Sequence, residues 1–345
     1  MKKDDQMSEK LNSRMPMVSV VIPVYNGSNY LAQAIDSALG QDYPNVEVLV
    51  INDGSTDGGK TEAIALAYGS RLRYYSKQNG GVATALNMGI EKMRGAYFSW
   101  LSHDDLYSRQ KISSQMKLLC RLEDKTTITA GGYSLFSDRN GILDIRDYAK
   151  IYTREQLETP LFPLFHCALN GCTLLIHKSH FQRAGLFDPA YITTQDYDMW
   201  FRMMRGLRIV YSRGIYVHSR VHDSQDSITM GDAHQEECNS MWIRLMDQLS
   251  DAEKTQIAGS PRNFYEEIFR FFQARTSYDK AVMHAFNQCL RLNSSLSFTE
   301  HQQQNCLNAV TSKKNLSFLS LCHAVYRKLR FAKYSMKVHN LTKSG

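Results

Sequence analysis

The sequence predicts an α/β protein with a mostly parallel central sheet and flanking helices, followed by a helical C-terminal extension. The run 17–24 (MVSVVIPV) is continuously apolar and β-branched, which is typical of a parallel strand buried on both faces. A second such run, 46–51 (VEVLVI), follows a segment with helical spacing of apolar residues. A strand, a helix and a strand at this spacing form a βαβ unit, whose two strands lie parallel.

The most informative strand of this predicted sheet ends on charged residues. The apolar run 96–102 (AYFSWLS) is followed by His103, Asp104 and Asp105. Ligands of open α/β sheets bind outside the carboxyl ends of the strands, and paired carboxylates there suit Mg²⁺ or Mn²⁺ shared with substrate phosphates. The alternative is a polar loop in which Asp105 caps a helix that begins near Ser108.

Polar residues follow the other predicted strands of the sheet as well. Four successive strand exits deliver Tyr25, Asp53, Asn79 and the acid pair at 104–105 to one rim, as a nucleotide site requires. The first strand is not followed by G-x-G-x-x-G, and G-x-x-x-x-G-K-[ST] does not occur. The sequence therefore disfavours a dinucleotide-binding dehydrogenase and a P-loop ATPase.

Beyond residue 130 the pattern is less regular. Charges and two prolines interrupt the segment 133–165, which predicts irregular structure. Short strands are predicted at 173–177, 209–211 and 216–218, and helices at 236–249, 263–275, 281–292 and 316–331.

Composition and charge limit the compartment and the partners. The seven cysteines form no C-x-x-C pair, which favours free thiols in a reducing compartment. Residues 1–14 lack the apolar core of a signal peptide, and we expect a cytoplasmic protein. The segment 313–343 carries eight Lys or Arg and no acid. Its apolar stripe predicts either a packed helix or a membrane-surface contact, and no nucleic-acid-binding module accompanies it.

Four segments of the chain together resemble a known family: VSVVIPVYNG (18–27), VEVLVINDGSTDGG (46–59), NGGVATALNMGI (79–90) and GAYFSWLSHDDL (95–106). In this order and at this spacing they are similar to the nucleotide-sugar-dependent glycosyltransferases of family 2. The resemblance implies a GT-A fold, a Rossmann-like sheet with flanking helices, at 17–229. A flexible N-terminus (1–16) would precede this domain, and a helical region with a basic amphipathic tail (230–345) would follow it.

For the donor, the resemblance implies a UDP-sugar. Pro23 and Tyr25 would hold the uracil ring, Tyr25 by aromatic contact, and Asp53 would accept the imide N–H. A dTDP-sugar stays an alternative, because thymine presents a similar imide edge. The other nucleotide-contacting residues that the resemblance implies are Asn26, Lys77, Asn79, Gly81, Asp104 and Arg220.

For the metal, the resemblance implies Mn²⁺ or Mg²⁺ bound by Asp104, Asp105 and His222. The two aspartates match the end of the family's DxD region. His222 lies in an element similar to its closing R-x-H, where it would complete the metal site or contact phosphate. Ser102 stands where the commoner form has an acid, so the resemblance leaves open which aspartate is the direct ligand. Arg220 would meet the diphosphate or shape the loop.

For catalysis, the segment 194–200 (TQDYDMW) resembles the family's E-D-x-D/W motif, with Gln195 in place of the usual glutamate. Asp196 then matches the base that takes a proton from the acceptor hydroxyl as that oxygen attacks the anomeric carbon. A single displacement of this kind inverts the anomeric centre. The alternative is that Asp196 only caps or complements its helix.

The resemblance thus implies an inverting, metal-dependent hexosyl-type transferase. It would act on a glycan or lipid-linked saccharide in surface polysaccharide biosynthesis, peripherally on the inner face of the cell membrane. A nucleotidyltransferase shares the carboxylate chemistry but has no use for Asp196. A non-catalytic nucleotide- or carbohydrate-binding relative is the other alternative, which the replacements at Ser102 and Gln195 leave open.

Overall fold

The computed structural model describes residues 15–223, 225, 229–273 and 278–292. The chain divides into two compact units, Met1–Glu237 and Cys238–Gly345. The strands are β1 (Val18–Val24), β2 (Val46–Asn52), β3 (Arg73–Ser76), β4 (Tyr97–Trp100), β5 (Leu106–Tyr107), β6 (Ile128–Ser137), β7 (Gly141–Arg146), β8 (Ile176–His177) and β9 (Ile209–Arg220). The helices before residue 205 are α1 (Leu31–Leu39), α2 (Lys60–Leu66), α3 (Val82–Lys92), α4 (Lys111–Leu119), α5 (Arg154–Glu158), α6 (Phe162–Phe165), α7 (Ser179–Ala184) and α8 (Gln195–Met204).

The central sheet has the order β3-β2-β1-β4-β8, with the first four strands parallel and β8 antiparallel. All seven residues of β1 are buried, as expected for a strand covered on both faces. Val24 pairs with Asn52, and Asn52 pairs with Ser76. The first three strands therefore end level, and the residues that follow them leave the sheet at one edge.

A second sheet, in the order β5-β9-β6-β7, was not predicted. The prediction of irregular structure over 133–165 is wrong, because β6 and β7 form an antiparallel hairpin there and α5 and α6 follow. The two short strands predicted near 209–218 are one strand, β9, whose pairing with β6 shifts register near Gly131 and Gly132. The glycines and the bulge conceal the alternation that identifies a strand.

The helix starts differ from two capping predictions. Helix α4 begins after Gln110, and Asp105 leads directly into β5. The interpretation of Asp105 as a helix cap is therefore wrong. Thr194 occupies the N-cap position of α8, so Asp196 does not cap that helix. Asp196 lies in the first turn, where a carboxylate complements the helix dipole, as the other part of that alternative states.

The described residues after 230 form four helices: α9 (Gly231–Gln248), α10 (Asp251–Ala258), α11 (Pro261–Gln273) and α12 (Asp279–Arg291). Helix α10 was not predicted, and its start is stabilised by a capping box between Ser250 and Glu253. The predicted helix 316–331, the basic segment 313–343 and the N-terminus 1–14 lie outside the described residues. Within the described part, every helix is too short or too polar to cross a membrane, and the five cysteines are free thiols.

One lysine of α4 is enclosed under the central sheet. Lys111 is fully buried, and its Nζ donates to Ser99 Oγ at 2.7 Å, to Gln115 Oε1 at 3.0 Å and to the Leu174 carbonyl at 3.3 Å. The Tyr107 ring lies 4.5 Å from the same nitrogen. These groups are all neutral, and burial disfavours the charged ammonium. Burial accordingly lowers the pKa of Lys111 from 10.5 to about 7.

Replacement of Lys111 by methionine should remove a pH-dependent part of the stability. The folded pKa of about 7 lies below the unfolded value of 10.5, so between these values the unfolded chain binds one more proton than the folded chain. The free energy of unfolding of the wild type should therefore rise relative to that of Lys111→Met by up to about 1.4 kcal/mol per pH unit above neutral pH. Urea unfolding at several pH values measures this difference, and a pH-independent difference would contradict it.

Candidate active site

A cleft of about 710 Å³ opens at the carboxyl edge of the central sheet. The predicted site residues that line it are Pro23, Tyr25, Asn26, Asp53, Asn79, Gly81, Asp104, Asp196 and His222. A second pocket of about 510 Å³ also has Asp104 and Asp196 in its wall, together with Tyr133 and Tyr197. The fold thus brings most of the predicted residues to one place, and the two acids belong to both cavities.

Asp53 is buried, and its carboxylate organises the loop that follows β3. Its oxygens accept hydrogen bonds from Lys77 Nζ at 2.5 Å, from the Gly80 N–H at 3.1 Å and from the Gly81 N–H at 2.7 Å. Gly81 has a φ of 85° at the start of α3, a conformation that L side chains rarely adopt. Lys77 is therefore held against Asp53, and Asp53 sets the shape of the loop that borders the cleft.

The loops after β1 and β2 are joined by side-chain to backbone hydrogen bonds. The Asn26 N–H donates to Ser55 Oγ at 2.9 Å, and Asn26 Oδ1 accepts from the Thr56 N–H at 2.7 Å. Tyr25, the residue before Asn26, is 45% exposed although its neighbours in β1 are buried. The two joined loops therefore present one aromatic ring to the cleft, where a planar base can stack on it.

Asp104 and His222 form a pair at the cleft. Asp104 Oδ2 lies 3.0 Å from His222 Nε2, and both side chains are mostly buried. A carboxylate oxygen and an imidazole nitrogen are both metal ligands, and Mg²⁺ commonly takes one or two carboxylates and completes its shell with substrate phosphates and water. The described residues contain no group of three or more ligating side chains that could hold a metal. The pair therefore fits a cation that shares its coordination with a substrate.

The side chain of Asp105 faces the end of β9 and not His222. It is 4% exposed, and its Oδ1 accepts from the Arg220 N–H at 2.9 Å and from Ser219 Oγ at 3.0 Å. Burial, and secondarily the charge of Asp104, raise the pKa of Asp105 to about 8. Of the two aspartates between which the sequence could not choose, Asp104 faces His222 and Asp105 holds the end of β9.

Arg220 is 1% exposed, and each of its three guanidinium nitrogens donates to a protein group. Nε donates to the Asp104 carbonyl at 2.9 Å, one terminal nitrogen donates to Gln33 Oε1 at 2.6 Å, and the other donates to Asp138. Of the two roles predicted for Arg220, contact with a diphosphate and shaping of the loop, these contacts support the second.

The residues whose role the sequence left open have structural contacts. His103 packs on Gly27, where an added Cβ would lie 2.6 Å from His103 Cδ2. Ser102 Oγ lies 3.5 Å from Cys172 Sγ. The Oε1 atom of Gln195 is buried without a hydrogen-bond partner in the described structure, although its residue lines the cleft.

Asp196 combines access to both cavities with a shifted pKa. Its Oδ1 accepts from the Tyr197 N–H at 2.8 Å, which favours the ionised form. Burial acts in the opposite direction and is the larger effect, and the charge of Glu237 adds to it, so the pKa of Asp196 is raised to about 6. A carboxylate with this pKa is ionised at neutral pH and is a stronger base than an ordinary aspartate.

Sequence reasoning missed several residues of the site. Tyr133 and Gln225 line the second pocket, and Glu237 accepts four hydrogen bonds from the segment 192–194, just before Asp196. No local motif marks Tyr133 or Glu237, since each reaches the site from a distant part of the chain, and Gln225 follows His222 by three residues outside the motif.

Comparisons with known proteins identify the family and the fold. The family model described as glycosyl transferase family 2 matches residues 19–180. The uncharacterized glycosyltransferase RT0329 of Rickettsia typhi is 44% identical over 264 residues, which are 76% of this chain and 82% of the relative. An uncharacterized glycosyltransferase of Rickettsia bellii is 44% identical over 286 residues, which are 82% of this chain and 41% of the relative. The chain thus spans less than half the length of the Rickettsia bellii relative.

Among solved structures, S. aureus TarS 1–349 in complex with UDP-GlcNAc superposes with a TM-score of 0.59 at 15% identity, over 92% of each chain. The mannosyltransferase PcManGT of Pyrobaculum calidifontis, in complex with GDP-Man and Mn²⁺, gives a TM-score of 0.52 at 17% identity, over 87% of this chain and 81% of that one. At these identities the likeness concerns the fold, and it confirms the predicted GT-A architecture. By its matching family model and by its similarity to RT0329 over most of both chains, the chain belongs to glycosyl transferase family 2.

Proposed function

We propose that this chain is an inverting glycosyltransferase that moves a sugar from a UDP-sugar to a hydroxyl of a saccharide acceptor. One observation carries the proposal. The candidate base Asp196 and the candidate metal ligands Asp104 and His222 line the same cleft as Tyr25 and Asp53, the predicted uracil-binding residues. A base, a cation site and a nucleotide site in one cavity are the parts that a direct displacement at an anomeric carbon needs.

The donor proposal rests on the wall formed by the loops after β1, β2 and β3. The exposed ring of Tyr25 offers a stacking surface, with Pro23 and Asn26 beside it in the lining. Asn79 and Gly81 border the same space. TarS, which has the same fold, was solved with UDP-GlcNAc, and we accordingly take a UDP-hexose as the donor class.

The acceptor proposal places a sugar in the second pocket. Tyr133 and Tyr197 line that pocket together with Asn170, and aromatic and amide side chains suit a sugar's apolar face and its hydroxyls. Asp196 lies between the two cavities, so its carboxylate would accept the proton of the acceptor hydroxyl as that oxygen attacks the donor. The reaction proceeds on the face opposite the leaving group, and the anomeric configuration inverts.

Asp104 and His222 are the residues that would hold Mn²⁺ or Mg²⁺. When bound, such a cation neutralises negative charge on a departing diphosphate. Asp105 stabilises the position of His222, because its hydrogen bonds fix the end of β9 two residues before that histidine. Arg220 stabilises the position of Asp104 by donating to its carbonyl.

The wider assignment is also a proposal. The GT-A domain would comprise residues 17–229, and the acceptor would be a glycan or a lipid-linked saccharide of surface polysaccharide biosynthesis. The free thiols of the described residues suit a reducing cytoplasm. The basic segment 313–343, outside the described residues, would contact the anionic inner face of the membrane.

UDP should bind this protein in a metal-dependent manner, and Asp104→Asn should abolish the dependence. Calorimetry of the wild type with and without Mn²⁺ measures the effect. We expect Mn²⁺ to tighten UDP binding by at least about tenfold in the wild type, because the cation links the protein ligands to the phosphates. Asp105→Asn is the matched control and should keep most of this gain, since asparagine still offers an oxygen to the Arg220 N–H.

Two results would contradict this view. Equal loss of the metal effect in both variants, with both proteins folded, would make Asp105 a direct ligand. Absence of nucleotide binding by the wild type in either condition would favour a non-catalytic relative.

Asp196→Asn should separate binding from turnover. The amide cannot accept the proton, so turnover should fall by about 10²- to 10⁴-fold while metal-dependent UDP binding stays unchanged. In the wild type, kcat/KM should fall tenfold per pH unit below about pH 6, because protonation of Asp196, whose pKa is about 6, removes the base. Release of UDP from UDP-sugar across a pH series measures both effects. An Asp196→Asn variant with wild-type turnover would exclude Asp196 as the base.

A further inference from the structure

The segment that leads into helix α8 is bound by a single carboxylate from another part of the chain. Glu237 Oε1 accepts from the Thr193 N–H at 3.1 Å, from the Thr194 N–H at 2.9 Å and from Thr194 Oγ1 at 2.7 Å. Glu237 Oε2 accepts from the Ile192 N–H at 3.2 Å. Three successive backbone N–H groups and one hydroxyl therefore converge on one side chain, as in the anion-binding concavities that backbone amides form.

Glu237 is ionised in this arrangement. Partial burial opposes its charge, but the hydrogen bonds from Thr194, Thr193 and Ile192 act together and lower the pKa of Glu237 below its usual value. Hydrogen bonds to an ionised acceptor are roughly twice as strong as those between neutral groups. The segment 192–194 is thus held more firmly than an ordinary loop.

The start of α8 depends on this contact rather than on its own cap. Thr194 occupies the N-cap position of the helix, but its hydroxyl makes no hydrogen bond to the first turn. That hydroxyl donates to Glu237 instead. One turn earlier on α9, His234 Nδ1 lies 2.8 Å from Thr193 Oγ1. The first turns of α9 therefore fix the entry of α8, and Asp196 lies two residues beyond the last bound amide.

We propose that Glu237 is a positioning residue for glycosyl transfer: it holds the segment 192–194 and thereby places Asp196 against the acceptor hydroxyl. The inference rests on the proposed function of Asp196 as the base. Glu237 itself touches the segment and is not a lining residue of either described cavity. Because a displacement of about 1 Å in a reacting group can reduce a rate about 10²-fold, loss of the four hydrogen bonds to Glu237 should have a large effect on turnover and little effect on donor binding.

The test compares Glu237→Ala and Glu237→Gln with Asp232→Ala, a control that removes an exposed acid from the first turn of α9. The substrate is whichever of UDP-glucose, UDP-galactose and UDP-N-acetylglucosamine the wild type hydrolyses fastest, with Mn²⁺ present. We expect Glu237→Ala to lower kcat at least about tenfold, with the KM for the donor and the Kd for UDP within about twofold of wild type. Glu237→Gln keeps one acceptor oxygen and should recover part of kcat.

Two further readouts distinguish positioning from general damage. In the Glu237→Gln variant the acid limb of the pH profile should move to lower pH, because the charge of Glu237 contributes to the raised pKa of Asp196. In an Asp196→Asn background, Glu237→Ala should cause no further loss of kcat, since both changes act through the same group.

The outcomes separate this inference from the proposed function. A wild type that binds UDP and turns over the donor, with Glu237→Ala unchanged in kcat, overturns the role of Glu237 alone. A parallel loss of UDP affinity and kcat in Glu237→Ala also overturns it, because the residue would then support the whole fold. A wild type without metal-dependent UDP binding overturns the proposed function and this role with it.

Discussion

The guanidinium of Arg220 lies almost fully buried, 4.3 Å from the ring centre of Tyr30 and 4.6 Å from that of Phe136. Burial of a cation costs several kcal/mol unless its donors are satisfied, and here they are used by separate segments, including the Asp104 carbonyl and Gln33 of α1. Arg220 therefore links three segments: the end of β9, the residues that follow β4 and the start of α1. The geometry of the Asp104–His222 pair depends on that link, since one partner follows each of the two strands.

Asp104 and Asp105, which follow β4, differ in role because their side chains lie in different environments. Asp105 is enclosed, accepts the backbone N–H of Arg220 and has a raised pKa, whereas Asp104 faces the cleft and His222. The hydrogen bonds of the buried Asp105 carboxyl hold the end of β9 next to β5, and His222, which follows β9, therefore lies beside Asp104. A single acid after β4 could act as the proposed metal ligand or hold the end of β9, but it could not do both. For the proposed metal site, this division gives a physical reason for two consecutive aspartates, since Ser102 cannot contribute a carboxylate.

The parts of the fold that the sequence predicted are those with local signals. The continuous apolar runs of β1 and β2 identified the parallel sheet, and the level ends of the strands placed Tyr25 and Asp53 together. The hairpin of β6 and β7 was not predicted, because β6 contains two glycines and β7 exposes its apolar side chains at a sheet edge. The site residues that were missed or left unresolved depend on distant pairings. Asp105 meets residues more than 110 positions away, and Glu237 meets a segment more than 40 positions away.

Glu237 shows why such a distant contact can have a chemical as well as a geometric consequence. A neutral side chain could accept one or two of the amides of the segment 192–194, but it would not add negative charge near Asp196. The ionised carboxylate does both, since its hydrogen bonds fix the start of α8 and its charge adds to the effect of burial on the Asp196 pKa. The Tyr197 N–H limits that rise. The pKa of Asp196 is therefore set mainly by burial, with the Tyr197 N–H lowering it and the charge of Glu237 adding to the rise. In the proposed mechanism the same acid also positions the base.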